Sequence, residues 1–109
     1  MSLATILTNQ VIDHIYKNGG WGFRASSTGI YDEKARTFRT APKKGVADIL
    51  ACYRGRFIAI EIKIGKDHLS PEQQGFLANV THYGGLSVVV KDFDQFVSWW
   101  QNNCPQVTP

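Results

Sequence analysis

Asp48, Glu61 and Lys63 stand at the far end of the stretch from Gly45 to Lys63, two apolar runs that only Arg54-Gly55 separates. Both runs are rich in Ile, Ala and aromatic residues and read as strands joined by a two-residue hairpin loop. With that loop Tyr53 pairs with Arg56, and counting outward sets Asp48 opposite Glu61. Directly opposed side chains have Cβ atoms about 4.5–5.5 Å apart, close enough for two carboxylates to share one divalent cation. Lys63 lies two residues beyond Glu61, so the strand period aims it at the same face. Two hard oxygen ligands beside an ammonium suit phosphodiester hydrolysis, with Mg2+ or Mn2+ activating water and clamping the phosphate. The backbone carbonyl of Ile62 points sideways along the strand and is a further candidate ligand. Lys63 is placed to orient or deprotonate the attacking water, or to stabilise the charge that develops on the phosphate.

The competing explanation is a salt-bridged strand end. It does not account for two acids facing one another, because opposed carboxylates repel unless a cation lies between them. Arg at the first loop position is not favoured turn chemistry, and a bulge there would shift the pairing by one residue.

Other elements must hold this hairpin. Leu3, Leu7, Val11 and Ile15 form the apolar stripe of a helix over residues 3–17, closed by Asn18-Gly19-Gly20, with His14 beside the stripe. Trp21, Phe23 and Ala25 alternate with polar or small residues as a first strand, and Ile30-Tyr31 is expected to pair with Thr37 to Thr40 as a short hairpin. The main hairpin is apolar on both faces, with Ile49, Ala51, Ile58 and Ile60 on one and Leu50, Cys52, Phe57 and Ala59 on the other. That pattern predicts a mid-sheet position covered by helices on both sides. Ser70, Pro71 and Gln73 fit the N-cap, first and third positions of a helix whose face carries Phe76, Leu77 and Val80. Leu86 to Val90 reads as a buried strand, parallel to an earlier one through a right-handed crossover. Asp92 caps a last helix with Phe93, Phe96, Val97 and Trp100 on one face, and Asn103 to Pro109 reads as a frayed tail. Trp99 and Trp100 are adjacent, so one is expected to lie exposed at an interface.

The 109 residues make one domain, 1–109, with 43% apolar residues, enough for a core without a disulfide framework. Cys52 inside a strand and Cys104 near the end, with no Cys/His spacing, argue against zinc and for one buried and one incidental thiol in a reducing compartment. No long apolar run suggests a membrane span or a secretion signal, so the expectation is a cytoplasmic protein. The net charge of +3 is mild, but Lys34, Arg36, Arg39, Lys43 and Lys44 form a basic run that leads into Gly45. A solvated loop would explain it. Beside two carboxylates, it also suits a polyanionic substrate.

Gly45-x-x-Asp48 followed by Glu61-x-Lys63 resembles the motif of the PD-(D/E)XK nucleases. Arg24 after a Trp-containing strand, Glu61-Ile62-Lys63 and Leu69-Ser70-Pro71-Glu72-Gln73 are similar to the virus-type replication-repair nuclease (VRR-NUC) domain over residues 4–97. That resemblance implies an α/β restriction-endonuclease-like core: helix, three-stranded antiparallel meander, helix, strand and C-terminal helix, with a mixed central sheet flanked by helices. It implies a Mg2+- or Mn2+-dependent DNA endonuclease acting on branched DNA such as four-way junctions, as a homodimer, with a phage origin as one option. Carried over residue by residue, it places Asp48, Glu61, Lys63 and Gln73 in catalysis, and Asp48, Glu61 and the Ile62 carbonyl at the metal. Arg24 joins Lys34, Arg36, Arg39, Lys43 and Lys44 as the DNA-binding set. The capping box alone also accounts for Gln73. Members of the family commonly carry a Glu on the first helix; here the nearest counterparts are Asn9 and Gln10, which leaves Gln10 as the amide candidate for a third ligand. A noncatalytic DNA-binding module and a sequence-specific restriction-type enzyme are the alternatives.

Overall fold

The computed structural model describes residues 1–25, 30–32, 37–39 and 44–106. Along the chain these form α1 (Leu3–Lys17), β1 (Trp21–Arg24), β2 (Ile30–Asp32), β3 (Thr37–Arg39), β4 (Ile49–Tyr53), β5 (Arg56–Ile62), α2 (Pro71–His82), β6 (Leu86–Val90) and α3 (Phe93–Asn103). A four-stranded mixed sheet runs β1-β4-β5-β6, and β2 pairs with β3 as a separate antiparallel hairpin. β1, β4 and β5 form the antiparallel meander, with β2–β3 inserted after its first strand. β6 lies parallel to β5 after the α2 crossover.

The hairpin register is the one the loop length predicts. Tyr53 pairs with Arg56 and Ile49 with Ile60. Both loop residues take positive φ, Arg54 at 53° and Gly55 at 81°, the conformation that matches the twist of the flanking strands. Arg54 adopts it at some cost, while its Nε donates to the Tyr53 hydroxyl at 3.3 Å.

One sheet face carries the main core. Ile49, Ala51, Tyr53, Ile58, Ile60 and Ile62 pack against Leu7, Val11 and Ile15 of α1 and Phe96 and Trp100 of α3. Leu3, expected in that stripe, is instead exposed at the first position of α1. His14 sits among the rings of Phe93, Phe96 and Trp100, where burial lowers its pKa. Trp99 stacks on Phe96 and packs on the core beside Trp100, so neighbouring tryptophans share one core and neither is the expected exposed one.

The opposite face is covered only in part. Ala47, Ala59 and Leu77 form a small second cluster under α2, flanked by Leu50, Phe76, Val80 and Val89. α2 packs on β5 and β6, not on β1, so the expected full cover stops short of Phe57 and Cys52. The two thiols consequently exchange their expected places: Cys52 is half-buried, whereas Cys104 is buried at the end of α3. Burial raises the Cys104 thiol to about 11, which keeps it a thiol and unreactive. The segment after α3 is held as well, through a 2.9 Å bond from the Tyr53 hydroxyl to the Pro105 carbonyl. Among the described residues no helix is long and apolar enough to cross a membrane.

Candidate active site

Asp48 is the last residue before β4, and its own carbonyl accepts from Ala25 N at 2.8 Å, on the β1 side. Continuing the register outward from Ile49 and Ile60 brings it opposite Glu61. On the β5 side the ladder ends here. The Ile62 N–H, which a further strand residue would have bonded, donates to Asp48 Oδ2 at 2.8 Å. The side chain thus replaces a backbone acceptor and is fixed in place. Because N–H and C=O of one strand residue leave on the same side, the Ile62 carbonyl faces the Asp48 side too.

Glu61 is only 1% exposed, an extreme burial for a carboxylate. Its Oε1 accepts from Gln73 Nε2 at 3.3 Å and lies 3.9 Å from Lys63 Nζ. Among the described residues no donor reaches its buried Oε2. Burial first, and then Asp48 by hydrogen bonding and charge, push the Glu61 carboxyl up to about 8, while Lys63 pulls the other way. A buried acid with a free oxygen next to a second acid must hold either a proton or a cation.

Gln73 is held by the start of α2. Ser70 Oγ accepts from Gln73 N at 3.1 Å, and Gln73 Oε1 accepts from Ser70 N at 2.9 Å. With its oxygen engaged in this capping box, the amide has only its NH2 left for Glu61. The two explanations of Gln73 are therefore compatible, since one side chain closes the helix cap and orients the carboxylate.

Gly45 sets where that helix starts. Its φ is +80°, and a Cβ there would lie 2.4 Å from the Glu72 carbonyl carbon and 2.8 Å from Gln73 N. Only a residue without a side chain lets the strand approach pass this close to the first turn of α2. The sequence signal was the glycine of Gly45-x-x-Asp48, and the packing gives it a role that the motif alone does not.

The chain matches no family model and no curated protein. Among solved structures it is similar to Hjc of Archaeoglobus fulgidus, a Holliday junction resolvase from an archaeal hyperthermophile. The two are 21% identical, over 81% of this chain and 67% of that one, with a TM-score of 0.57. The fold is resolvase-like. At this identity the similarity speaks for the architecture, an α/β fold with a mixed sheet between helices.

Asp48, Glu61, Lys63 and Gln73 are brought together on the α2 face. Gln10 is exposed and lines a cavity with Ile64, Lys91, Asp92 and Phe93; among the described residues no hydrogen bond joins it to either acid. Arg24 pairs with Ile49, so its Cβ leaves the sheet on the α1 face, away from Asp48. Lys44 is exposed beside Gly45, and Arg39 lies in β3 opposite Ile30. Lys34, Arg36 and Lys43 lie outside the described residues.

The donor set fits a hard divalent cation. Among the described residues no group of three or more His, Cys, Asp or Glu side chains is assembled. Two carboxylates with a carbonyl on the same side match the habit of Mg2+, which binds through one or two carboxylates and keeps several waters. The unbonded Oε2 of Glu61 is the atom that such an ion would satisfy.

Proposed function

We propose that this protein is a divalent-metal-dependent DNA endonuclease of the VRR-NUC type within the PD-(D/E)XK nucleases, selective for branched DNA such as four-way junctions. The observation that carries the reading is the buried Glu61, with one oxygen left without a donor opposite Asp48. A bound Mg2+ or Mn2+ would supply a water of lowered pKa and neutralise charge on the phosphate. The protein's own groups do the rest. Asp48, pinned by Ile62 N, and Glu61, turned by Gln73, would hold the cation, and Lys63 would stabilise the charge that develops on the reacting phosphate.

Cutting both arms of a symmetric junction requires two centres related by a two-fold axis, which a homodimer provides. The surface that suits a second copy is aromatic. Trp21, Cys52 and Phe57 form one cross-strand row, Trp21 lies 5.4 Å from Phe23, and Phe57 shares a cavity of about 360 Å³ with Phe76, Val80 and Tyr83. Trp21 is 58% exposed, Phe23 45%, Phe57 43% and Tyr83 84%. They leave roughly 450 Å² of aromatic surface in water. That is about half of what each partner of a stable complex contributes, roughly 800 Å².

Cleavage of duplex, flap and four-way junction DNA, with Mg2+, Mn2+ or EDTA, tests the reading. The expected result is metal-dependent cutting strongest on the junction, abolished in Glu61→Gln. Junction binding with no metal-dependent cutting would favour the noncatalytic module instead. Lys63→Ala should lose turnover and retain Mg2+ affinity by calorimetry; lost affinity would make Lys63 part of the metal shell.

A further inference from the structure

β6 runs parallel to β5 with Ile62 beside Val90, and the Lys63 N–H donates to the Val90 carbonyl at 2.9 Å. The next residues along the two strands are Lys63 and Lys91. The same register puts Glu61 beside Val89, so both lysines belong to the face that carries the acids. Neighbouring strands lie about 4.8 Å apart, which holds two ammonium stems side by side. Both line one cleft of about 280 Å³, together with Asp67, His68, Leu69 and Val89.

Lys91 is held there by a specific device. Gln95 of α3 accepts from Lys91 N at 2.7 Å through its Oε1 and donates to the Val89 carbonyl at 2.9 Å through its Nε2. The amide bridges the end of β6 and fixes where the Lys91 side chain begins. Like charges side by side repel, and Lys63 already has Glu61 Oε1 at 3.9 Å, whereas among the described residues no carboxylate comes within ion-pair distance of Lys91. The arrangement complements the acid pair one row away: there two carboxylates face one another, and here the Lys91 ammonium is left to take an anion beside Lys63.

We propose that this cleft binds the phosphate adjoining the scissile one on the cleaved DNA strand, with Lys91 as the residue that positions it. The proposal rests on the nuclease reading, because Lys63 joins the two places. Its Nζ lies 3.9 Å from Glu61 Oε1 and its side chain also forms the cleft wall. A strand whose reacting phosphate lies over Asp48 and Glu61 passes next over Lys91. Lysine suits this task as a mobile point charge that accepts any non-bridging oxygen, so the contact sets register and not base sequence.

The test combines Lys91→Gln and Lys91→Arg with junctions carrying one neutral methylphosphonate at successive positions around the cut. Affinity is measured in calcium at several salt concentrations. The slope of log K against log salt should fall by about one in Lys91→Gln. A methylphosphonate at the adjoining position should weaken the parent protein about fivefold, add nothing in Lys91→Gln, and weaken Lys91→Arg as it does the parent. Additive losses at every position, or an unchanged salt slope, would overturn the proposal while cutting by the parent in Mg2+ left the nuclease reading intact. A parent that binds junctions but never cuts them overturns that reading instead, whatever the cycle shows.

Discussion

The two ends of the β4–β5 hairpin share one face and leave opposite things unfinished. At the turn end Trp21, Cys52 and Phe57 form an apolar row that α2 borders only at Phe57, leaving it 43% exposed; at the open end Asp48, Glu61 and Lys63 form a charged row under the start of α2. Between them Ala59 and Leu77 are packed and complete. The strands and their period are the same, so the difference comes from where α2 lies, over β5 and β6 and with its cap at the acid end. One end keeps apolar surface in water, and the other keeps a carboxylate out of it. Each is unfavourable in the isolated chain, and on the proposed function each would be relieved by a different kind of ligand: a second copy of the chain at the turn end, a cation at the open end.

The strongest way to break this comparison is Glu61→Gln. Turnover should fall about a thousandfold or more, because the charge that holds the cation is gone. Stability should move the other way. Glu61 binds its proton more tightly folded than unfolded, so the stability it contributes is full below the ordinary Glu pKa and drains as the pH rises through about 8. Without metal, the variant should therefore melt higher than the parent at pH 9 and close to it at pH 4. Mg2+ should raise the melting temperature of the parent most at the alkaline end, since it competes with that proton. Equal melting at pH 9 in EDTA would show that Glu61 carries no such load.

At the turn end, Phe57→Glu places a charge in the middle of the aromatic row. Association measured by sedimentation should weaken about a hundredfold while the melting temperature barely changes, because Phe57 is already 43% exposed. Junction cutting should then proceed as single unlinked nicks. A large loss of stability would instead make Phe57 a core residue. The smallest effect is expected at the join between the two regions. Gly45→Ala forces the first turn of α2 away from the strand and should lower turnover about tenfold, with Mg2+ affinity falling alongside. Full activity in that variant would detach Gly45 from the placement of Gln73.

The open end was legible in the sequence because local rules determine it. Loop length set the register that opposes Asp48 and Glu61, and Ser70-Pro71-x-Gln73 announced the cap that orients Glu61. The turn end was not, since nothing in Leu50, Cys52 and Phe57 says how far along the sheet a helix that starts at Pro71 will reach. The same blindness to tertiary cover exchanged the two cysteines, exposed Leu3 and misjudged Trp99, which packs against the core that α1 and the sheet help to build. Lys91 escaped notice because its neighbour Lys63 is set by the parallel register of β6, a pairing across twenty-eight positions that the strand pattern alone does not specify.

The double use of Gln73 ties the lifetime of the site to the fraying of a helix end. First turns open more readily than helix interiors, and here the opening that frees Ser70 N also releases the Glu61 carboxylate. Amide exchange at Gln73 N therefore reports how often the site comes apart, and a ligand that holds Glu61 in place should slow it. The rate at which α2 unwinds by one turn becomes a clock for how long the Glu61 carboxylate stays placed.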